Sequence, residues 1–322
     1  MRIAVVGAGA IGGAIAHALT RAGAAPVRVA RGASAAAIAR DGLRFDEAGR
    51  SETSRPRVVE DPRGLPAIDA VIGTMKAQDW PAALPLIAPL LGKSTLLLPA
   101  INGIPWWYFQ GEGGPFDGRR LTSVDPDGAL ADAIAADRVV GTVVYMATSR
   151  PAPGHVVSTR ARRLVLGPAA AQPRADWRPL LAALREAGFD AEETPDIRRA
   201  TWAKLLGNVG FNPISALTRT TMAEIVADPD LNALCADAIC ETLAIARAAG
   251  RPLDVTAQAR IAEASRLGHF RTSMLQDMDA GRALEIGGLL EAPIEIGALV
   301  GVDAPVLRSL ARLLRAAAAR RA

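Results

Sequence analysis

Short apolar runs alternate with alanine- and leucine-rich stretches of helical periodicity from the start of the chain to about residue 195, the pattern of a parallel sheet covered by helices. Residues 2–7 read as a first strand, 11–22 as a helix and 26–31 as a second strand. Residues 69–75 and 95–100 are further apolar strands, and the proline-bearing stretch 80–91 between them reads as an irregular helix. Residues 139–148, 155–158 and 163–166 alternate like antiparallel strands, joined through the turn-rich Pro151-Ala152-Pro153-Gly154, and a helix over 176–187 closes this half. Beyond Pro195 the character changes. Residues 197–212, 230–249, 255–265, 284–300 and 304–321 all carry helical periodicity. The expected fold class is therefore α/β, with an N-terminal domain over residues 1–195 and a second, all-α C-terminal domain over 196–322.

Composition agrees with two folded domains. At roughly 150 residues per domain, the 322 residues suffice for two cores, and 50% apolar with 22% charged residues is an ordinary globular balance. The 37 basic and 33 acidic residues leave a net charge of +4, too small a field to make nucleic acid a default partner. The first 18 residues carry one arginine and a long apolar run, a superficial likeness to a signal peptide that their glycine spacing argues against. The charge-free stretch 94–111 approaches a membrane span in length but is broken by Pro99, Asn102, Gly103 and Pro105, so no transmembrane segment is expected. Cys235 and Cys240 are spaced for neither a redox pair nor a zinc site, which fits a reducing cytoplasm, and both thiols are expected to be buried. His17, His155 and His269 form no ligand spacing, so no metal is expected. The arginines of the tail, Arg308, Arg312, Arg315, Arg320 and Arg321, read as a solvated helix face.

The chemistry starts at the first strand. The turn Gly7-Ala8-Gly9-Ala10-Ile11-Gly12 is a G-x-G-x-x-G directly after a hydrophobic strand and at the opening of a helix, where backbone amides and the helix N-terminus can cradle a pyrophosphate. That order points to a Rossmann-type dinucleotide-binding domain. An acidic residue near the end of the second strand would hold the ribose 2′-hydroxyl of NAD, but residues 27–34 contain none. Arg28 and Arg31 occupy the stretch instead. Arg31, at the strand's end, could pair with a 2′-phosphate, which favours NADP.

Only three of the 37 basic residues are lysines: Lys76, Lys93 and Lys204. A lysine ammonium, unlike a guanidinium, can act as an acid when its surroundings lower its pKa. Lys76 and Asn102 lie just beyond the carboxyl ends of two strands, where open α/β sheets bind ligands, although Asn102-Gly103 also suits a plain turn. Lys93 precedes a strand and reads as a surface residue. In the helical half Lys204, Asn208 and Asn212 recur at four-residue spacing and so share one stripe roughly 80° wide. The stripe runs among Leu205, Leu206, Val209, Phe211 and Ile214, just before a kink expected at Pro213. It fits a lined cleft, or otherwise a polar row satisfied in the core or at the surface. Ser273 and Glu285 offer a hydroxyl and a carboxylate further on and would be unremarkable alone.

Together these residues resemble the ketopantoate reductase family. The resemblance rests on Gly7 to Gly12, Lys76 within Thr74-Met75-Lys76-Ala77, Asn102-Gly103, the run from Ile197 to Asn208, Asn212-Pro213-Ile214-Ser215, Thr272-Ser273-Met274 and Glu285-Ile286, in order along nearly the whole chain. It implies an NADPH-dependent reductase of a 2-oxo acid, most simply 2-dehydropantoate reduced to (R)-pantoate on the route to pantothenate and coenzyme A. It makes Lys204 the general acid that protonates the alkoxide left by hydride transfer. Lys76, Asn102, Asn208, Asn212, Ser273 and Glu285 would contact substrate, with Lys76, Asn102 and Glu285 also at the cofactor. The implied setting is cytoplasmic, with a small-molecule partner and a homodimer allowed for.

Two features depart from the family pattern. Ile101 stands where many members carry glutamine, and Asn102-Gly103 leads into the aromatic block Trp106-Trp107-Tyr108-Phe109. The block would line a larger pocket, act as a lid, or anchor its loop to the core or a subunit interface. Two alternatives therefore stay open: a reductase of another, bulkier 2-oxo acid or carbonyl compound, and a non-catalytic NADP-binding sensor.

Overall fold

The computed structural model describes residues 1–159, 162–266 and 268–320. The tail residue Arg321, counted above on a solvated face, lies outside them. The chain divides into two compact units, one of residues 1–101, 107–120 and 128–197, the other of residues 102–106, 121–127 and the chain from 198 on.

In the first unit the order is β1 (Ile3–Val6), α1 (Ala10–Arg21), β2 (Val27–Val29), α2 (Gly32–Asp41), β3 (Leu43–Glu47), β4 (Arg50–Ser54), β5 (Arg57–Val59), β6 (Ala70–Gly73), α3 (Trp80–Ile87), β7 (Leu96–Pro99) and α4 (Ala129–Ala133). There follow β8 (Val140–Tyr145), β9 (Thr148–Ala152), β10 (His155–Ser158), β11 (Arg163–Pro168), α5 (Arg178–Glu186) and β12 (Asp190–Glu193). A parallel sheet in the order β5-β2-β1-β6-β7 is the base of the unit. β1, β6 and β7 are buried at every position. Strands covered on both faces lose the alternating pattern and read as continuous apolar runs, which is why these three are visible in the sequence.

Two smaller sheets complete the unit, β4-β3-β10-β9 and β12-β11-β8. The stretch expected as one strand over 139–148 is divided between them, because β8 pairs antiparallel with β11 while β9 folds back on β10. α2, β3, β4, β5 and β12 carry too little periodicity of their own to stand out. Their partners decide them: β5 is held by β2 and β12 by β11. Helix α1 lies close against β10, so close that a Cβ on Gly13 would come within 2.4 Å of Val156.

The second unit is helical: α6 (Ile197–Thr218), α7 (Met222–Ala227), α8 (Pro229–Ala248), α9 (Ala257–Ser265), α10 (Ser273–Asp279), α11 (Ala292–Leu299) and α12 (Pro305–Ala319). Helix α6 does not end at Asn212 but continues through Pro213 to Thr218, with Phe211, Ile214, Ser215 and Ala216 all buried. Burial of that apolar turn outweighs the backbone hydrogen bond that proline removes. Gly210 lets α6 approach α8, since a Cβ there would stand 2.8 Å from Cys235 Sγ. Cys235 is buried as expected, but Cys240 on the same helix is exposed, because five residues along a helix turn a side chain to another face. A π-helical turn over Gly287–Glu291 precedes α11.

Candidate active site

The glycine turn between β1 and α1 is held from below. Thr74, just after β6, donates through its hydroxyl to Val6 O at 3.0 Å and through its amide to the same oxygen at 2.9 Å. Gly7 has φ +116, which only glycine adopts freely, and a Cβ at Gly12 would lie 2.3 Å from Thr74 Oγ1. Gly9 is the exception. It is the N-cap of α1, and a Cβ there would meet nothing nearer than Thr74 O at 3.8 Å. No side chain caps this helix and no acidic residue sits in its first turn, so its amide ends have no built-in anion. Open glycine at the cap, tight glycine behind it and uncapped amides fit a dinucleotide pyrophosphate.

Arg31 is exposed at the N-cap of α2, at the carboxyl end of β2. Lys76 opens a 3₁₀ turn, Ala77–Asp79, beyond β6 and is half-buried. Both belong to the first unit, with the turn from Gly7 through Ala8, Ala10 and Ile11 to Gly12.

The second unit contains the other polar centre. Lys204 Nζ donates to Asn102 Oδ1 at 2.5 Å, and Asn102 Nδ2 donates to Glu285 Oε2 at 3.3 Å. Asn102 reaches this position because its loop is docked on the π-helical turn. Ile104 N donates to Gly288 O at 2.8 Å, and Gly103, with φ +80, lies so close that a Cβ would stand 2.3 Å from the same oxygen. The second short loop is tied to α11 by Glu295, whose carboxylate accepts from the amides of Thr122 and Ser123, both at 2.9 Å.

Burial pushes the Lys204 ammonium down from 10.5 to about 8, and the Glu285 carboxylate opposes the fall. Taken as a whole residue Lys204 is half-buried, while Glu285 is buried. A lysine so poised is still mostly protonated at neutral pH, yet gives up its proton far more readily than one in water. Asn208, half-buried, and Asn212, buried, continue its stripe along α6. Ser273 is the exposed first residue of α10, whose cap is the neighbouring Thr272, accepting from Leu275 N. The structure thus joins Lys204, Asn102 and Glu285 directly and places Asn208 and Asn212 in line. Ser273 has no hydrogen bond to that trio among the described residues.

The aromatic block is buried throughout, with Trp107 and Phe109 only 3% and 1% exposed. Trp107 fills the space left by Gly141, where a Cβ would come within 2.6 Å of its ring, and Tyr108 meets Phe109 edge-on at 4.8 Å.

Residues 3–171 match the family profile described as ketopantoate reductase PanE/ApbA, and residues 196–318 match its C-terminal profile. The chain belongs to the ketopantoate reductase family. It is accordingly an oxidoreductase, and the resemblance expected from the sequence holds in both domains. A curated ketopantoate reductase relative, the 2-dehydropantoate 2-reductase of Mesorhizobium japonicum, is 42% identical over 323 residues, covering 100% of this chain and 99% of that protein. The crystal structure of a candidate ketopantoate reductase from Ralstonia solanacearum MolK2 superposes with a TM-score of 0.94 at 40% identity, covering 99% and 98% of the two chains. D-mandelate dehydrogenase, solved with NADH and anilino(oxo)acetate, has a TM-score of 0.86 at 21% identity over 100% of this chain and 99% of that one, and shares the ketopantoate reductase fold.

Three contributors to these sites escaped the residue-by-residue reading. Thr74 was only part of a motif, Gly288 is one small residue in a helical run, and Arg28 looked like one more arginine. The signal available was that Arg28 interrupts the apolar strand Val27-Arg28-Val29 at a position facing the core.

Proposed function

We propose that this ketopantoate reductase family member reduces 2-dehydropantoate to (R)-pantoate with NADPH, in the cytoplasm, toward pantothenate and coenzyme A. The observation that carries the reading is the hydrogen-bonded line from the Lys204 ammonium through Asn102 to the Glu285 carboxylate. Residues 1–195 hold the cofactor and residues 196–322 supply the acid and most substrate contacts. Bound on the glycine turn, NADPH supplies a hydride to the carbonyl carbon of the substrate. Lys204 Nζ gives its proton to the carbonyl oxygen, so that a ketone, a hydride and a proton become an alcohol. Before that, its positive charge stabilises the negative charge developing on the oxygen.

Asn102 spends its amide oxygen on the ammonium and so fixes the direction of the remaining N–H groups. Glu285 keeps the ammonium charged by its field and, through Asn102, keeps the amide oriented. Asn208, Asn212 and Ser273 hold the substrate's carboxylate and hydroxyl, with Lys76 adding positive charge at the cofactor side. Arg31, exposed beside the end of β2, pairs with the 2′-phosphate that distinguishes NADPH from NADH. The buried aromatic block supports an anchor for its loop over a lid or a wall for a larger substrate.

The test is oxidation of NADPH and NADH by the purified protein with 2-dehydropantoate beside a panel of other 2-oxo acids, bulky aromatic ones included. Efficient turnover with NADPH and a clear preference for 2-dehydropantoate is expected. Preference for a bulkier acid would overturn the substrate, and NADPH binding with no turnover on any carbonyl compound would leave a cofactor-binding sensor.

A further inference from the structure

Among the described residues, Arg28 is a cation buried without a counter-ion. It stands in the middle of β2, in register with Val5 on one side and Val58 on the other, and is 1% exposed. Its guanidinium extends beneath the glycine turn, where Nη2 donates weakly to Gly9 O at 3.4 Å and Nη1 lies 3.0 Å from the place a Cβ on Gly12 would take. Nε and Nη1 have no hydrogen-bond partner, and no carboxylate pairs with Arg28 among the described residues. The charged neighbour that acts on it is Arg150, another cation, itself bonded to Ser34 Oγ at 2.8 Å. Desolvation and that neighbour push its pKa down to about 10, which still leaves it protonated at neutral pH.

Buried guanidinium groups are normally paired, because an uncompensated charge in a low dielectric is strongly destabilising. Directly above this one is a helix N-terminus with no acidic residue in its first turn and no side-chain cap. Three features of the chain therefore favour a negative charge at one place: a buried cation with orphan N–H groups, uncapped amides and an open Gly9. Given the dinucleotide-binding reading above, we infer that Arg28 is the built-in counter-charge of the cofactor's pyrophosphate. Its orphan atoms are out of solvent reach, so it acts across the turn through its charge and not by touching the phosphates. The unliganded protein then carries a penalty that the dinucleotide relieves, and cofactor binding is coupled to the stability of the first unit. Because NADH and NADPH share the pyrophosphate, the effect is the same for both, unlike that of Arg31.

The experiment compares wild type with Arg28→Met and Arg28→Gln by thermal melting of the cofactor-free protein and by titration with NADPH and NADH, without substrate. Both variants are expected to melt no lower than wild type, since an unpaired buried charge is removed. Both should bind NADPH and NADH less tightly, by a similar factor of roughly ten to fifty, the effect of one charge acting through several ångströms of protein. Loss of melting temperature or failure to fold with Arg28→Met would show the guanidinium to be a structural strut, and unchanged affinity of Arg28→Gln for both dinucleotides would overturn the assignment equally. Weakening confined to NADPH would move Arg28 to the 2′-phosphate and refute the pyrophosphate role. If wild type itself bound neither dinucleotide, the dinucleotide-binding reading would fail first, before Arg28 is at issue.

Discussion

Replacing Glu285 by glutamine removes one negative charge near Lys204 while keeping an oxygen that can accept from Asn102 Nδ2. The bonds on the two sides of the Asn102 amide, 2.5 Å and 3.3 Å, keep the ammonium within about 8 Å of the carboxylate oxygen. At an effective dielectric of about 20 such a pair interacts by about 2 to 3 kcal/mol, and solvent at the half-buried lysine reduces this to roughly one to two pH units. The sign follows from the cause. The carboxylate raises the lysine pKa, so its loss lowers the value further below about 8. A general acid works while protonated, so kcat/KM for reduction should be level below pH 8 and fall about tenfold per unit above it. In Glu285→Gln the bend should move toward neutral pH by at least about one unit, whatever happens to the plateau. In Lys204→Arg, whose guanidinium does not titrate in this range, it should vanish. The assay is NADPH oxidation between pH 6 and 10 at subsaturating substrate. A bend unmoved by Glu285→Gln and still present in Lys204→Arg would refute the assignment of Lys204 as the titrating acid.

Lys204→Ala should slow the chemical step by roughly 10² to 10⁴-fold while leaving dinucleotide affinity nearly unchanged, and near-wild-type single-turnover rates would remove it from the chemistry. Arg31→Ala should weaken NADPH binding by roughly tenfold or more and NADH hardly at all, and equal losses in fluorescence titrations would release it from the 2′-phosphate. Gly103→Ala should destabilise the protein by about 2 to 3 kcal/mol in urea unfolding, since it combines a left-handed backbone position with a clash against a carbonyl. Because the clash is at Gly288 O, beside Asn102, it should also impair turnover, and full stability with full activity would show that the docking of this loop is unimportant.

Most of the fold was legible along the chain. β1, β6 and β7 are apolar at every position because both their faces are covered, and the long helices announce themselves by period. β5 and β12 were not legible, because a strand of three or four residues with exposed positions exists by virtue of the partner it pairs with. The helix expected to end at Asn212 runs on through Pro213 to Thr218, because local propensity lost to the burial of the residues around it. Among candidate site residues, spacing alone put Lys204, Asn208 and Asn212 on one stripe, position beyond a strand's carboxyl end pointed to Asn102, and only the resemblance to the family pointed to Glu285.

By itself the sequence determined what depends on neighbours a few residues away: the strand, glycine turn and helix in order, the polar stripe of α6, and the rarity of lysine that drew attention to Lys204. Tertiary structure alone decided what depends on surroundings. Asn102 meets Glu285 across 183 residues only because Gly103 can lie against the Gly288 carbonyl. Lys204 becomes a useful acid, and Arg28 an unbalanced cation, only because other atoms displace water from around them. Periodicity is written in the order of residues, whereas desolvation is a property of everything that packs around a group, from however far along the chain it comes.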